Sequence, residues 1–282
     1  MRRRVLVAAG VLALLAGLLA AVLPGVATAT DTTLLRARLN GANEVPGPGD
    51  PDGSGQAFLR LSNDRVCFAL EWSDIGQPTR GHIHVGAAGT AGAIVVPFFE
   101  SLPGSLPDAM ASARGCVAAD PALITQIRAN PGNYYVNLHD ATFPAGAIRG
   151  QLRRGGGDIS VPRQLTANLS GANEVPAADP DGRGRAFVSA KGDRVCFAVT
   201  WEGIAQPVAG HIHRGAKGVN GPVVVPFPVF DGLPASFNGV DGCVSADPAL
   251  VDEIRHHPAG FYVNLHTPDF PGGAIRGQLR HR

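Results

Sequence analysis

The sequence predicts an all-β protein with two tandem Greek-key-like β-sandwich or barrel domains, each with one short helix. Three features of the 282-residue chain support this fold class. Apolar residues alternate with a period of two in short runs, clusters of Gly, Pro, Asn and Asp separate the runs, and the second half of the chain repeats the first. The chain is 45% hydrophobic, so each half has enough apolar residues to bury a core.

The internal repeat consists of six motifs that recur in the same order. The first copies are Gly41–Pro46, Arg65–Ala69, Gly81–His84, Gly115–Val117, Tyr135–His139 and Ala147–Leu152. The second copies are Gly171–Pro176, Arg194–Ala198, Gly210–His213, Gly242–Val244, Tyr262–His266 and Ala274–Leu279. Two long units do not make a solenoid, so we predict domains at 33–153 and 163–282, joined by a flexible linker at 154–162.

The strands are predicted from alternation. Val66, Phe68, Leu70 and Trp72 are large and apolar, and a strand with one face in a core has this pattern. The same phase recurs in the second unit at Val195, Phe197, Val199 and Trp201. Other short apolar runs predict strands at Ala57–Leu61, Ile94–Phe99, Tyr134–Leu138 and Ala147–Leu152.

One helix is predicted late in each unit. Asp120 provides an N-cap with Pro121 at the first helical position, and Leu123, Ile124 and Ile127 form an apolar stripe. The sequence Asn-Pro-Gly at 130–132 ends the helix. Residues 247–258 repeat this plan in the second unit.

Residues 1–29 predict a secretory signal peptide. Arg2, Arg3 and Arg4 precede an apolar run, Val5–Leu23, and small residues follow up to an expected cleavage after Ala29. The run has 19 residues, so an uncleaved membrane anchor is the alternative. Both interpretations place the remainder outside the cytosol, secreted or in the cell envelope, and no membrane span is expected after signal cleavage.

Cysteine content and net charge narrow the class of protein. An even number of cysteines in an exported chain predicts disulfides, and one pair in each half is the simplest of three connectivities for Cys67, Cys116, Cys196 and Cys243. No C-x-x-C motif supports thiol redox chemistry or a zinc ribbon. The formal charge of +1 at pH 7 gives the chain no overall electrostatic attraction for nucleic acid, so no nucleic-acid partner is expected.

Four of the ordered motifs resemble a known family. Gly-Ala-Asn-Glu-Val-Pro, Gly-His-Ile-His-x-Gly, Tyr-Val-Asn-Leu-His and Ile-Arg-Gly-Gln-Leu, in this order and twice, are similar to the CHRD domain. This module is named after chordin and is common in exported bacterial proteins. The resemblance implies a β-rich extracellular module. Chordin captures growth factors mainly through separate cysteine-rich domains that this four-cysteine chain lacks, so that ligand class is not implied.

Three histidines recur in both units and are candidate metal ligands. Residues i and i+2 of a strand face the same side, and a third histidine from another strand would complete a three-His site for copper or zinc. The recurring histidines are His82, His84, His139, His211, His213 and His266, whereas His256, His257 and His281 have no counterpart.

The His-x-His strand also resembles the copper-binding strand of Cu,Zn superoxide dismutases. The sequence departs from that family in lacking a bridging histidine, a fourth copper histidine and a histidine-rich zinc loop. The alternative role for these histidines is structural: their rings, like the side chains of Asn137 and Asn264, would anchor loops by bonding backbone groups.

A charged pair is predicted in each unit. Glu44 and Glu174 lie in apolar motifs that end in proline, and Arg149 and Arg276 lie between Ile and Gly in strand-like runs. Burying a lone charge is costly, so we predict structural ion pairs of Glu44 with Arg149 and of Glu174 with Arg276. A catalytic glutamate or a ligand-binding arginine is the functional alternative.

These observations favour a non-enzymatic extracellular or cell-envelope binding module whose partner is an extracellular protein or an envelope polymer. The sequence offers no catalytic set, and its glycine-rich segment at 86–92 lacks the Lys-Ser/Thr of a phosphate-binding loop. The alternative is a copper- or zinc-binding protein, redox-active and distantly dismutase-like, that uses the three histidines of each unit.

Overall fold

The chain folds into two similar antiparallel β-repeats. The computed structural model describes residues 32–100, 106–158 and 164–282. The predicted signal peptide, residues 1–29, lies outside the described residues, as do residues 159–162 of the predicted linker. No helix within the described segments is long and apolar enough to cross a membrane.

The described residues of the first repeat form nine strands and one α-helix. In chain order these are β1 Thr33–Asn40, β2 Ser54–Leu61, β3 Arg65–Ser73, β4 Arg80–Val85, β5 Ile94–Glu100, β6 Met110–Ala118, α1 Pro121–Ala129, β7 Tyr134–His139, β8 Ile148–Gln151 and β9 Arg153–Arg154. Short 3-10 helices occur at Gly41–Asn43 and Pro131–Asn133.

The second repeat has the same elements. They are β10 Leu165–Ser170, β11 Arg183–Lys191, β12 Arg194–Glu202, β13 Ala209–Arg214, β14 Val223–Pro226, β15 Phe237–Ser245, α2 Pro248–His256, β16 Phe261–His266, β17 Ile275–Gln278 and β18 Arg280–His281. Its 3-10 helices are Gly171–Asn173 and Pro258–Gly260.

All strand pairings among residues 32–100, 106–158 and 164–282 are antiparallel, and the order of the strands departs from chain order. In the first repeat the neighbours run β5-β4-β7-β8-β1-β2-β3-β6, and β9 also pairs with β1. The second repeat follows the same order. After β3 the chain crosses to the other end of this order to form β4 and β5, and β6 later returns to pair with β3. The connection is therefore Greek-key-like. The predicted all-β fold class is confirmed.

The alternating apolar residues of β3 are buried in the core, as the sequence predicts. Val66, Phe68, Leu70 and Trp72 on β3 are buried, whereas Cys67 between them is only half-buried.

Helix α1 begins with the predicted cap, since the Asp120 side chain accepts a hydrogen bond from the backbone N–H of Ala122 at 2.7 Å. These local features, repeated in the second half, build a sheet that encloses its own apolar side chains.

The two repeats share one sheet. Strand β6 of the first repeat pairs with β15 of the second, from Phe237 opposite Gly115 to Gly242 opposite Met110. The Phe237 ring lies 6.1 Å from the ring of Phe68 and 5.2 Å from that of Phe99. A side chain of the second repeat therefore packs into the aromatic cluster of the first, which the prediction of two units joined by a linker did not include.

Candidate metal centre

Two neighbouring strands of the first repeat bring three histidines together. His82 and His84 lie on one face of β4, while Ile83 between them points into the core. His139 is the last residue of β7, which pairs with β4. One ring nitrogen from each histidine lies within 4.8 Å of the other two. The structure thus brings together the three histidines that the sequence predicts.

Hydrogen bonds orient two of these rings. His84 Nδ1 donates to the carbonyl of Gly92 at 2.9 Å, and His139 Nδ1 donates to that of Pro144 at 3.1 Å. Because a carbonyl only accepts, the proton of each neutral ring lies on Nδ1 and leaves a lone pair on Nε2. The backbone of Val85 lies so close to Gly92 that a side chain at position 92 would overlap it, so this position requires glycine.

Three of the four remaining ring nitrogens are buried without a hydrogen-bond partner. His82 Nδ1, His84 Nε2 and His139 Nε2 are buried, and no described residue bonds to them. Buried polar atoms are normally hydrogen-bonded, so three unpaired nitrogens in one cluster need an explanation. The loop-anchoring role expected as the alternative accounts for the Nδ1 contacts and leaves these three atoms unexplained.

Burial keeps the three imidazoles neutral. It lowers the pKa of His82 to about 3 and that of His139 to about 4, with smaller contributions from neighbouring positive groups. Burial also lowers the pKa of His84. Neutral imidazole is the form that binds a metal ion. At neutral pH the cluster therefore offers lone pairs rather than positive charge.

The second repeat has the same three histidines in a more open cluster, in which His211 Nδ1 donates to His266 Nε2 at 3.2 Å. The ring nitrogens of His211, His213 and His266 also lie within 4.8 Å of one another. His213 Nδ1 donates to Gly221 at 2.9 Å and His266 Nδ1 to Pro271 at 3.0 Å. His211 and His266 are only half-buried, and His211 lines a cavity of about 620 Å³.

A tyrosine and an arginine flank each cluster. The Tyr135 ring stacks on His84 at 4.8 Å, and the Arg149 guanidinium carbon lies 3.4 Å from the centre of the Tyr135 ring. In the second repeat Tyr262 stacks on His213 at 4.9 Å. Tyr135 is not among the site residues predicted from the sequence, although its spacing from His139 in the Tyr-Val-Asn-Leu-His motif places both on one face of β7.

The predicted ion pairs take different forms in the two repeats. Glu44 and Arg149 are buried, with 8% and 2% of their surfaces exposed. Both carboxylate oxygens of Glu44 accept from Asn137 Nδ2, at 2.7 and 2.8 Å. Arg149 Nη2 instead donates to the backbone carbonyls of Ala87 and Thr90, because its long side chain reaches the 86–92 loop. The asparagine thus binds a carboxylate rather than a loop.

Glu174 approaches its arginine more closely. Its Oε2 lies 4.0 Å from Arg276 Nε and 3.5 Å from Asn264 Nδ2. Burial raises the pKa of both Glu44 and Glu174 to about 7, although Arg149 and Arg276 act in the opposite direction. Burial therefore outweighs the arginines in its effect on the pKa of these carboxyls, and the hydrogen-bond partner of each carboxyl is an asparagine.

The cysteines form one disulfide within each repeat. Cys67 bonds to Cys116 and Cys196 bonds to Cys243, which is the simplest of the connectivities that the sequence allows. Each bond joins directly opposite positions of paired strands, β3 with β6 and β12 with β15. The prediction of two disulfides is confirmed, and both suit an oxidising compartment.

The fold and its two histidine clusters define a tandem all-β protein with a candidate metal centre in each repeat. The family model described as CHRD domain matches residues 35–152 and 165–279. The chain therefore belongs to the CHRD-domain family, with two copies of the domain. A search of curated proteins finds no significant match.

Proposed function

We propose that this protein is an extracytoplasmic binding protein in which each CHRD repeat holds one copper or zinc ion through three histidines. The observation that carries the proposal is the set of unpaired ring nitrogens in the first repeat. His82 Nδ1, His84 Nε2 and His139 Nε2 are buried without a hydrogen-bond partner. A metal ion would satisfy all three atoms at once.

The chemistry of the ligands favours copper or zinc. Imidazole suits both metals, and divalent copper binds most N-donor sites more tightly than other first-row ions. The backbone carbonyls of Gly92 and Pro144 hold the rings of His84 and His139 through Nδ1, as outer partners of metal-bound histidines commonly do. Three protein ligands leave a further coordination position for water or another ligand.

Family membership supports the broader role of a binding module, and the metal centres extend it. The predicted signal peptide and the two disulfides support an exported location, secreted or in the cell envelope. We propose a non-enzymatic role, because the groups assembled around each cluster bind and orient imidazoles and supply no nucleophile for covalent catalysis.

Metal analysis of protein exported by its host and purified without a His-tag tests the proposal. We expect two equivalents of copper or zinc, one for each histidine cluster. His82→Ala is expected to remove one equivalent, and His82→Ala combined with His211→Ala is expected to remove both. The matched control changes the exposed His256 and His281 to Ala and should retain both.

The proposal would be contradicted if metal-free protein showed no saturable binding of copper or of zinc. Loss of metal from the control variant would contradict it as well, because binding would then reflect exposed histidines. Electron paramagnetic resonance of the Cu(II) form gives an independent measurement. Coupling to three imidazole nitrogens at each site is the expected result.

A further inference from the structure

A groove on the first repeat is lined by four arginines. It has a volume of about 650 Å³ and runs along β1, β8 and β9. Arg36 and Arg38 contribute from β1, Arg149 from β8 and Arg153 from β9. We call this feature, defined by the four residues, the arginine groove.

The strand register concentrates these positive charges. Arg36 lies directly opposite Arg153, and Asn40 lies opposite Arg149. Arg36 and Arg38 are two positions apart, so their side chains project from the same face about 7 Å from one another. Like charges directly opposite in a sheet destabilise it, so this arrangement is unfavourable unless an anion lies between them.

The described residues leave this charge uncompensated. Arg36, Arg38 and Arg153 are exposed, and none makes a side-chain hydrogen bond or ion pair with any residue that the structure describes. Glu44 is the one carboxyl among the residues lining the groove, and both its oxygens accept from Asn137. The carboxylate therefore does not pair with the exposed arginines.

Arg149 adds a buried donor that has no partner. Only 2% of this residue is exposed. Its Nη2 donates to the carbonyls of Ala87 at 3.2 Å and Thr90 at 2.7 Å, whereas its Nη1 is buried without a hydrogen-bond acceptor. Leaving a buried guanidinium N–H unpaired is costly, and an oxyanion in the groove would supply the missing acceptor.

We propose that the arginine groove binds a ligand carrying two or more carboxylate or phosphate groups. The planar guanidinium fork matches both kinds of oxyanion, and exposed arginines at the rim with a buried one beneath them would bind separate anionic groups. A cavity of about 650 Å³ has room for a small polyanion or for a short segment of an anionic polymer.

The second repeat is an internal contrast, because the two arginines of β1 have no counterpart in it. Thr166 and Asn168 occupy the positions of Arg36 and Arg38, and Thr166 lies opposite Arg280. The corresponding pocket has a volume of about 320 Å³ and is lined by Lys217, Arg276 and Arg280.

The buried arginine also differs between the repeats. In the second repeat, Arg276 Nη1 donates to Asn220 Oδ1 at 2.7 Å, so its donor is already satisfied. We therefore assign the ligand to the first repeat alone.

Calorimetric titration of the full chain, stripped of metal with a chelator, tests this proposal without involving the histidine clusters. The probes are pyrophosphate and tri-galacturonate, with uncharged maltotriose as a negative control. We expect one saturable site for each chain with at least one of the two anions. Binding of pyrophosphate alone would point to phosphate ligands, and binding of tri-galacturonate alone to acidic saccharides.

Variants locate the site. Arg36→Gln combined with Arg38→Gln should weaken binding by about tenfold or more, because the variant loses the charge-assisted hydrogen bonds from these two arginines to the anion. Arg153→Gln provides a second test at the rim. The control, Arg65→Gln with Arg194→Gln, removes the same charge from exposed positions outside the groove and should bind normally.

Three results would overturn the proposal. One is the absence of saturable binding by both anions at millimolar concentration. Another is equal weakening in the control variant, because binding would then follow net charge. The third is two equivalent sites for each chain, which would contradict the assignment to the first repeat.

Discussion

The two histidine clusters have the same ligands but different access to solvent. In the first repeat, His82, His84 and His139 are all buried, whereas His211 and His266 in the second are half-buried. The ligand set is thus a property of each repeat, and the exposure of the site depends on the strands around it.

The strand beside the cluster also differs between the repeats. In the first repeat, β5 extends far enough for Phe99 to pair with Gly81. Proline occupies the equivalent position in the second repeat, Pro228, and β14 ends two residues earlier, at Pro226. Because proline has no N–H to donate to a partner strand, it ends the pairing beside His211.

The largest expected effect concerns the contact that joins the repeats. Phe237 is buried between the aromatic rings of Phe68 and Phe99. Phe237→Ala should reduce the free energy of unfolding by roughly 3–5 kcal/mol, because it leaves a cavity in a packed cluster. Phe237→Met, which introduces the residue found at the equivalent Met110, should cost much less.

Guanidinium denaturation followed by tryptophan fluorescence provides this measurement, since each repeat has one buried tryptophan, Trp72 or Trp201. A single transition that moves as a whole in Phe237→Ala is expected. Two separate transitions, with that of the first repeat unchanged, would show that the repeats do not stabilise one another.

The next effect compares the two buried glutamates. Burial raises the pKa values of Glu44 and Glu174 from 4.5 to about 7. The folded protein holds these protons more tightly than the unfolded chain does. The resulting stabilisation is present below pH 4.5 and is lost as the pH rises through about 7, by at most ~3 kcal/mol for each group.

Glu44→Gln and Glu174→Gln should each remove a similar share of this pH dependence. Free energies of unfolding measured at pH 5 and pH 8 would reveal it as a smaller difference between the two conditions than in the parent. Glu202→Gln, at an exposed position, is the control and should leave the difference unchanged. Identical pH profiles for the parent and Glu44→Gln would show that the pKa of Glu44 is not raised in the folded protein.

The smallest expected effect is kinetic and concerns access to the two clusters. With both sites loaded, an excess of chelator should remove metal in two phases. The second repeat should lose its ion roughly tenfold faster, a difference of about 1.4 kcal/mol in barrier. Pro228→Phe should slow the fast phase by extending β14 over His211.

Single-site variants assign the two phases. His139→Ala should leave only the fast phase, and His266→Ala only the slow one. Equal rates at the two sites would contradict the link between exposure and release.

Much of the fold could be predicted because its determinants are local. The alternation at Val66–Trp72 and the Asp120 cap with Pro121 depend on residues a few positions apart. The placement of His82 and His84 could be predicted for the same reason, because the strand period alone places both rings on one face. The repeated motif that ends in His139 indicated the third ligand.

Features that depend on distant parts of the chain could not be predicted in this way. The pairing of β6 with β15 depends on which sheet edges meet after each repeat has folded. The binding of Glu44 to Asn137, in place of a direct pair with Arg149, depends on how far each side chain reaches in the folded repeat. One difference beside the clusters is visible in the sequence, because Pro228 replaces Phe99 in an otherwise similar strand.

Anomalous diffraction from crystals of protein purified from its native host, recorded at the copper and zinc absorption edges, would locate any bound metal. We expect one peak in each repeat. In the first repeat it should lie about 2.0–2.1 Å from His82 Nδ1, His84 Nε2 and His139 Nε2. Well-ordered rings that bind only water, with no anomalous peak after soaking in copper or zinc salts, would contradict this expectation.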